Sequence, residues 1–321
     1  MKKLFIPMAL VLVLLLSACG DKKNNSGSPS AQPSTAVPSE SASPSDSAAP
    51  ETGTITYQSE NGPVEVPANP QRVVVLSSFA GNVMSLGVPL VGVDDWTKKN
   101  PRIEEKLKDV QSVSDESLEK IIELDPDLII GLSNTKNINK LNEIAPTITF
   151  TYGKLDYLTQ HLEIGKLLNK EKEAQAWVDD FKARAAKAGD EIKAKIGADS
   201  TVSVIETAGK QLYVFGDHWA RGTEILYQEM KLSMPDKVKE MVLKDGYYAL
   251  SSEVVSDYMG DYVIFSKDSD ADNSFQATES YKNIPAVKND RVYEVDAKGF
   301  YFNDPLTLDY QLDFFIKSFL G

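Results

Sequence analysis

The chain has 321 residues, 42% hydrophobic and 25% charged, with 34 Lys and Arg against 47 Asp and Glu for a formal net charge of −13. That acidity makes nucleic acid a poor partner, and a single cysteine excludes an internal disulfide. Only two histidines, His161 and His218, are present, too few for the usual zinc or manganese centre.

At the start, Lys2 and Lys3 precede an apolar run from Leu4 to Leu16 that ends in Leu16-Ser17-Ala18-Cys19. A positive region, an apolar stretch and small residues read as a secretory signal over 1–18. The run is too short to span a bilayer. The lone Cys19 is either a free thiol or a modified one. The pattern resembles the bacterial lipobox, which implies that Cys19 is acylated after cleavage and anchors the protein to the outer face of the cell membrane. Losing Lys2 and Lys3 would move the net charge from −13 to −15. Residues 19–53 are mostly Ser, Pro, Ala and Gly, which cannot bury enough apolar surface to order, so they read as a flexible linker.

The remaining stretch, 54–321, about 268 residues, suffices for two lobes. Arg72–Leu76 reads as a buried strand, Gly81–Leu86 as a helix stopped by Gly87, and Pro89–Val93 as a strand. An amphipathic helix over Ser117–Leu124 then ends at Asp125-Pro126 and leads into the strand Asp127–Gly131. Further on, Thr201–Ile205 reads as a strand, Gly222–Met230 as a helix, and Ser252–Val255 as the start of a helix leading into the strand Asp261–Phe265. Such alternation predicts mainly parallel sheets covered by helices. Glu119 precedes Asp127 by eight residues and Glu253 precedes Asp261 by the same eight, as though the halves were variants of one lobe. Between them, Ala174, Trp177, Val178, Phe181, Ala185, Ala188, Ile192 and Ile196 recur at helical spacing. Within a connecting segment 171–197, a helix over Glu171–Ile196, 26 residues, would measure about 39 Å, enough either to join two lobes or to pack along one.

Together these features resemble the substrate-binding proteins of ABC importers for siderophores and vitamin B12. The resemblance is carried by Arg72–Leu76, by Leu86-Gly87-Val88-Pro89-Leu90-Val91-Gly92, and by Leu118-Glu119-Lys120-Ile121 through Pro126–Ile130. It covers essentially all of 54–321. It implies an α/β fold of two Rossmann-like lobes, 54–170 and 198–321, with mainly parallel sheets joined by one long helix, as in class III periplasmic binding proteins. The implied function is capture of a ferric siderophore and delivery to ABC permease subunits, by a monomer without a cofactor of its own.

Cleft loops should carry the ligand contacts. Tyr213-Val214-Phe215-Gly216-Asp217-His218-Trp219-Ala220-Arg221-Gly222 resembles the ligand loop of the ferric hydroxamate binders. That likeness casts Trp219 as a flat wall, Arg221 as a fork of donors for chelate oxygens, and Tyr213 as a further side. On the residues alone, Trp219 could equally pack in the core and Arg221 form an ion pair. The same resemblance adds Tyr152 after the strand Thr147–Thr151. It also adds Tyr301 and Phe302 ahead of a last helix with Asp304 as N-cap and Pro305 in its first turn; Trp96 extends the set. Relatives often carry tryptophan where Phe302 stands. A ferric tris-catecholate bears about three negative charges, whereas a tris-hydroxamate is near neutral at the metal. Of five arginines, Arg221 alone falls in a cleft loop, which favours hydroxamate over catecholate or citrate. Haem and cobalamin stay open, with His218, a methionine or a tyrosine available as an axial ligand. Glu119 and Glu253 match the family positions that dock on the permease, and are otherwise ordinary surface glutamates. No nucleophile motif or Walker sequence is present, so an enzyme is not expected and a secreted hydrolase is the rival of a different class.

Overall fold

The computed structural model describes residues 53–321. The signal segment, Cys19 and the linker up to residue 52 lie outside the described residues. An antiparallel hairpin opens the fold, β1 (Thr54–Ser59) and β2 (Gly62–Pro67), with Thr54 opposite Pro67. Its two-residue turn is Glu60-Asn61, and Gly62, at φ 110°, opens β2 opposite Ser59. Tyr57 and Val66 dock it onto the first lobe.

The first lobe continues with β3 (Val73–Val75), α1 (Ala80–Ser85), β4 (Leu90–Val93), α2 (Asp95–Lys98), β5 (Gln111–Ser112) and α3 (Leu118–Glu123). It is completed by β6 (Leu128–Leu132), α4 (Ile138–Ile144), β7 (Thr147–Phe150) and α5 (Tyr157–Leu167). Its sheet runs β5-β4-β3-β6-β7, parallel throughout. Val73–Val75 and Leu128–Ile130 are wholly buried, as strands covered on both faces require.

After the long helix α6 (Glu171–Ile196), the second lobe is built from β8 (Val202–Ala208), β9 (Gln211–Phe215), a π-helical segment Glu224–Glu229, α7 (Asp236–Val242) and β10 (Tyr247–Leu250). Then follow β11 (Tyr262–Lys267), the short helices α8 (Glu279–Lys282) and α9 (Pro285–Lys288), β12 (Val292–Asp296) and α10 (Pro305–Leu320). The sheet order, β10-β9-β8-β11-β12, repeats that of the first lobe position by position. The matched acids repeat as well. Asp127 accepts from the backbone N–H groups of Gln71 and Arg72 at 2.6 and 3.0 Å, and Asp261 accepts from the N–H and hydroxyl of Thr201 at 2.8 and 2.9 Å. In each lobe an aspartate ahead of one central strand thus ties down the chain entering the other.

The second sheet is mixed. Gly209 and Lys210 are all that separate β8 from β9, with Gly209 at φ 62°. A link so short cannot make the crossover that parallel strands need, so β9 runs antiparallel.

Two predicted helices take other forms. Within Gly222–Met230 the chain is π-helical, with Met230 N–H bonded to Ile225 O at 2.8 Å. Ser252–Val255 forms a turn followed by a single 3₁₀ turn, Val255–Asp257, because serines flank a β-branched pair that favours neither helix start nor helix interior. Glu253 is exposed in that turn, whereas Glu119 is exposed on α3.

The long helix changes allegiance along its length. Ala174 belongs to the first lobe's core, whereas Val178, Phe181, Ala185, Ala188 and Ile192 pack into the second. A second tie comes from α10. Asp304 caps it, accepting from Leu306 and Thr307 N–H at 3.1 and 3.2 Å. Leu306 reaches the first lobe's core, and Asn100 donates to Thr307 Oγ1 at 3.0 Å. Gly81 of α1 lies against this helix start, where a Cβ would come within 2.0 Å of Asp304 Oδ1. Only glycine permits that approach. Two helices, one of them continuous with the chain, therefore fix the lobes against each other, and no helix among the described residues is long and apolar enough to cross a membrane.

Candidate functional site: an aromatic cleft between the lobes

Strands of both lobes end at a common crevice, the place where α/β sheets present their ligand loops. It holds a cavity of about 340 Å³. The first lobe lines it with Phe79, Asn82, Tyr152, Asp156, Tyr157 and Gln160, the second with His218, Trp219, Glu224, Gln228 and Asn303. Tyr152 is 71% exposed on the loop after β7, free to meet a ligand.

Beside the cavity runs a chain of rings. Trp96 is stacked on Tyr301 across the lobe boundary, with centroids 5.4 Å apart and planes at 18°. The guanidinium of Arg221 lies 4.9 Å from the Tyr301 ring and 4.7 Å from Phe215. Phe215 and Tyr213 approach Tyr247, and Tyr247 lies 5.2 Å from Trp219 at the cavity mouth. Burial and the nearby Glu206 carboxylate push the Tyr301 phenol up to about 12, so it stays a neutral O–H.

Of the sequence-predicted site residues, Tyr152 and Trp219 line the cavity itself. Trp96, Tyr213, Arg221 and Tyr301 form the adjoining aromatic wall. Phe302, expected as a ligand contact, is buried and backs Trp96 with ring centroids 5.8 Å apart.

Arg221 departs from the open fork expected of it. Its Nε and Nη2 grip the carboxylate of Glu206 at 3.0 to 3.3 Å, and Nη1 donates to Trp219 O at 3.2 Å. Glu206 is only 2% exposed and accepts also from Ser266 Oγ at 2.7 Å. The guanidinium charge is therefore cancelled within the lobe, leaving a flat, partly exposed surface between two rings.

The polar floor and Tyr247 were missed by sequence reasoning. Asn82, Gln160, Gln228 and Asn303 sit on four separate elements with no shared spacing. Tyr247 reaches Trp219 only because β10 pairs with β9, Tyr247 opposite Phe215. Glu224 is buried, which pushes its carboxyl up, and its Oε1 accepts from Ala220 N–H at 2.9 Å. At the rim, His218 Nδ1 is 2.6 Å from Asp217 Oδ1. His161 lies deeper, 1% exposed, with its ring edge on Trp177; burial pushes it down to about 4, so it is neutral at physiological pH. No cluster of three or more His, Cys, Asp or Glu placed to hold a metal ion occurs among the described residues.

Residues 73–298 match the periplasmic binding protein family. The chain is 36% identical to the iron(3+)-hydroxamate-binding protein FhuD of Bacillus subtilis over 97% of its own length and 95% of that protein's. It is 33% identical to the iron(3+)-hydroxamate-binding protein YxeB of the same organism over 98% and 95%. Among solved structures, FhuD2 of Staphylococcus aureus with bound ferrioxamine B superposes with a TM-score of 0.72 at 34% identity, covering 78% of this chain and 99% of that one. Fold, interlobe cleft and sequence agree, and the chain belongs to the periplasmic binding protein family.

Proposed function

We propose that this protein captures a ferric siderophore of the hydroxamate type in the interlobe cleft and delivers it to an ABC permease for iron uptake. The observation that carries the chemistry is the cancelled charge of Arg221. The residues lining the cavity include no Lys or Arg, and the guanidinium of Arg221 in the adjoining wall is spent on Glu206. A chelate bearing about three negative charges would find nothing to offset them, whereas a near-neutral trishydroxamate meets flat rings, neutral carboxamides and the tyrosine hydroxyl of Tyr152. The relatives named for iron-hydroxamate binding support the same class. The siderophore supplies the iron ligands and the protein reads its outer shell, with no cofactor and no catalytic turnover.

Trp219, Tyr152, Tyr213, Arg221, Tyr301 and Trp96 make the contacts in this reading, with Phe302 as support. Glu119 and Glu253, both exposed, serve as paired acidic contacts for the permease, setting orientation and encounter rate more than affinity. Cys19 carries the lipid anchor that keeps a monomeric receptor at the outer face of the cell membrane.

Titration of tryptophan fluorescence tests the proposal. Iron-loaded trishydroxamates are expected to quench saturably and ferric catecholate or citrate to bind at least tenfold more weakly. Trp219→Ala is expected to lose about tenfold in affinity, roughly 1.4 kcal/mol. A protein indifferent to hydroxamates, or one that prefers the anionic chelates, would end this reading.

A further inference from the structure

Arg221 is delivered to the cleft by backbone that ordinary side chains avoid. Ala220, Arg221 and Gly222 follow one another in the left-handed region, at φ of 57°, 59° and 78°. Non-glycine residues hold that conformation only where their surroundings enforce it. Part of the enforcement is local: Thr223 N–H donates to Ala220 O at 3.0 Å, and Glu224 takes the Ala220 N–H.

The rest comes from the C-terminal helix. Arg221 N–H donates to Phe300 O at 2.9 Å. Gln311 of α10 donates through Nε2 to that same carbonyl at 3.3 Å and to Phe302 O at 3.1 Å. It is 0% exposed, and its Oε1 lacks a hydrogen-bond partner among the described residues. A Cβ on Gly222 would stand 3.7 Å from that oxygen. A buried amide left half unsatisfied is an unfavourable way to fill a helix position that leucine could occupy. What it does achieve is to bind the carbonyls on either side of Tyr301, one of which also holds Arg221.

We propose that Gln311 is a positioning residue for the ligand: it fastens the 300–302 loop to the strained 220–222 turn, so that Tyr301 and Arg221 meet the chelate as one preset face. It acts through those two side chains without touching the ligand, and the gain is preorganisation. The inference rests on the cleft reading given above.

The test is titration of the full ectodomain with iron-loaded ferrioxamine B. Gln311→Met, which keeps volume and removes the donors, is expected to raise Kd about tenfold. In a Tyr301→Ala background the same substitution should add only about threefold, because the share of its effect carried by Tyr301 is gone and the share carried by Arg221 remains. Leu312→Ala, a buried neighbour on the same helix, should lower Tm at least as much and leave Kd within about twofold of the parent, which separates positioning from general destabilisation. Gln311→Leu, which also removes the donors and suits a buried helix position, serves in place of the methionine variant if that one does not fold. Unchanged affinity in Gln311→Met, full additivity with Tyr301→Ala, or an equal loss of affinity in Leu312→Ala each overturns the proposal. If Tyr301→Ala and Trp219→Ala both bind as the parent does, the cleft reading itself fails and takes this inference with it.

Discussion

Replacing Arg221 by alanine should destabilise the second lobe as well as weaken binding. Glu206 is 2% exposed, and three of its close contacts are to this guanidinium. Without them its carboxylate keeps the single Ser266 hydroxyl at 2.7 Å. Removing one member of a buried ion pair costs about 3 kcal/mol or more, because the survivor is left charged away from water. The guanidinium also lies over Phe215 and Tyr301, which adds roughly 0.5–1 kcal/mol. At roughly 2–4 °C per kcal/mol for a chain of this size, the sum of roughly 3.5–4 kcal/mol should lower the Tm of Arg221→Ala by roughly 7–16 °C. Scanning calorimetry and urea unfolding of the ligand-free ectodomain measure it. The double variant Glu206→Gln, Arg221→Met removes both charges and should recover stability to within about 1 kcal/mol of the parent. Its affinity for a ferric trishydroxamate should stay low, since the flat guanidinium surface is gone. A single variant as stable as the parent, or a double variant no better than the single, would refute the claim that the pair is a closed, buried unit.

Other outcomes follow from the same geometry. His161 is neutral and buried, held down to about 4 against about 6.5 when unfolded. The unfolded chain therefore takes up a proton first, and stability contributed by the neutral ring is lost as pH falls from about 6.5 to about 4, up to about 3 kcal/mol. His161→Phe should flatten that limb of the urea-midpoint profile, and an unchanged slope would remove the histidine from the account. Asp304→Ala strips the cap from α10 at the point where that helix meets Gly81 and Asn100; a loss of about 2 kcal/mol is expected, measured by chemical denaturation. A change below about 0.5 kcal/mol would mean that the helix start is satisfied some other way. Glu119→Ala combined with Glu253→Ala should abolish uptake of radioactive iron in cells while leaving the Kd of the purified protein intact; loss of both would make these glutamates structural.

How much of this was legible in the residues can be traced element by element. The span of α6 could be read because its apolar positions recur without a proline for seven turns, a signal no local alternative competes with. The cap of α10 was equally plain in Asp304-Pro305. Buried strands such as Val73–Val75 announce themselves by composition. By contrast, Ser252–Val255 looked like a helix start only by analogy with the first lobe, and its β-branched pair instead took a turn.

The sequence by itself determined the two-lobe grammar, the long helix and the aromatic character of the loops at 213–222 and 300–302, because those depend on periodicity and on side-chain types close together in the chain. Tertiary structure alone decided what those loops can do. Glu206 neutralises Arg221 from 15 residues away, Tyr247 arrives through strand pairing, and Gln311 reaches back from the last helix to Phe300 and Phe302. Charge cancellation and backbone clamping are contacts between distant segments, and no spacing along the chain encodes a distance in space.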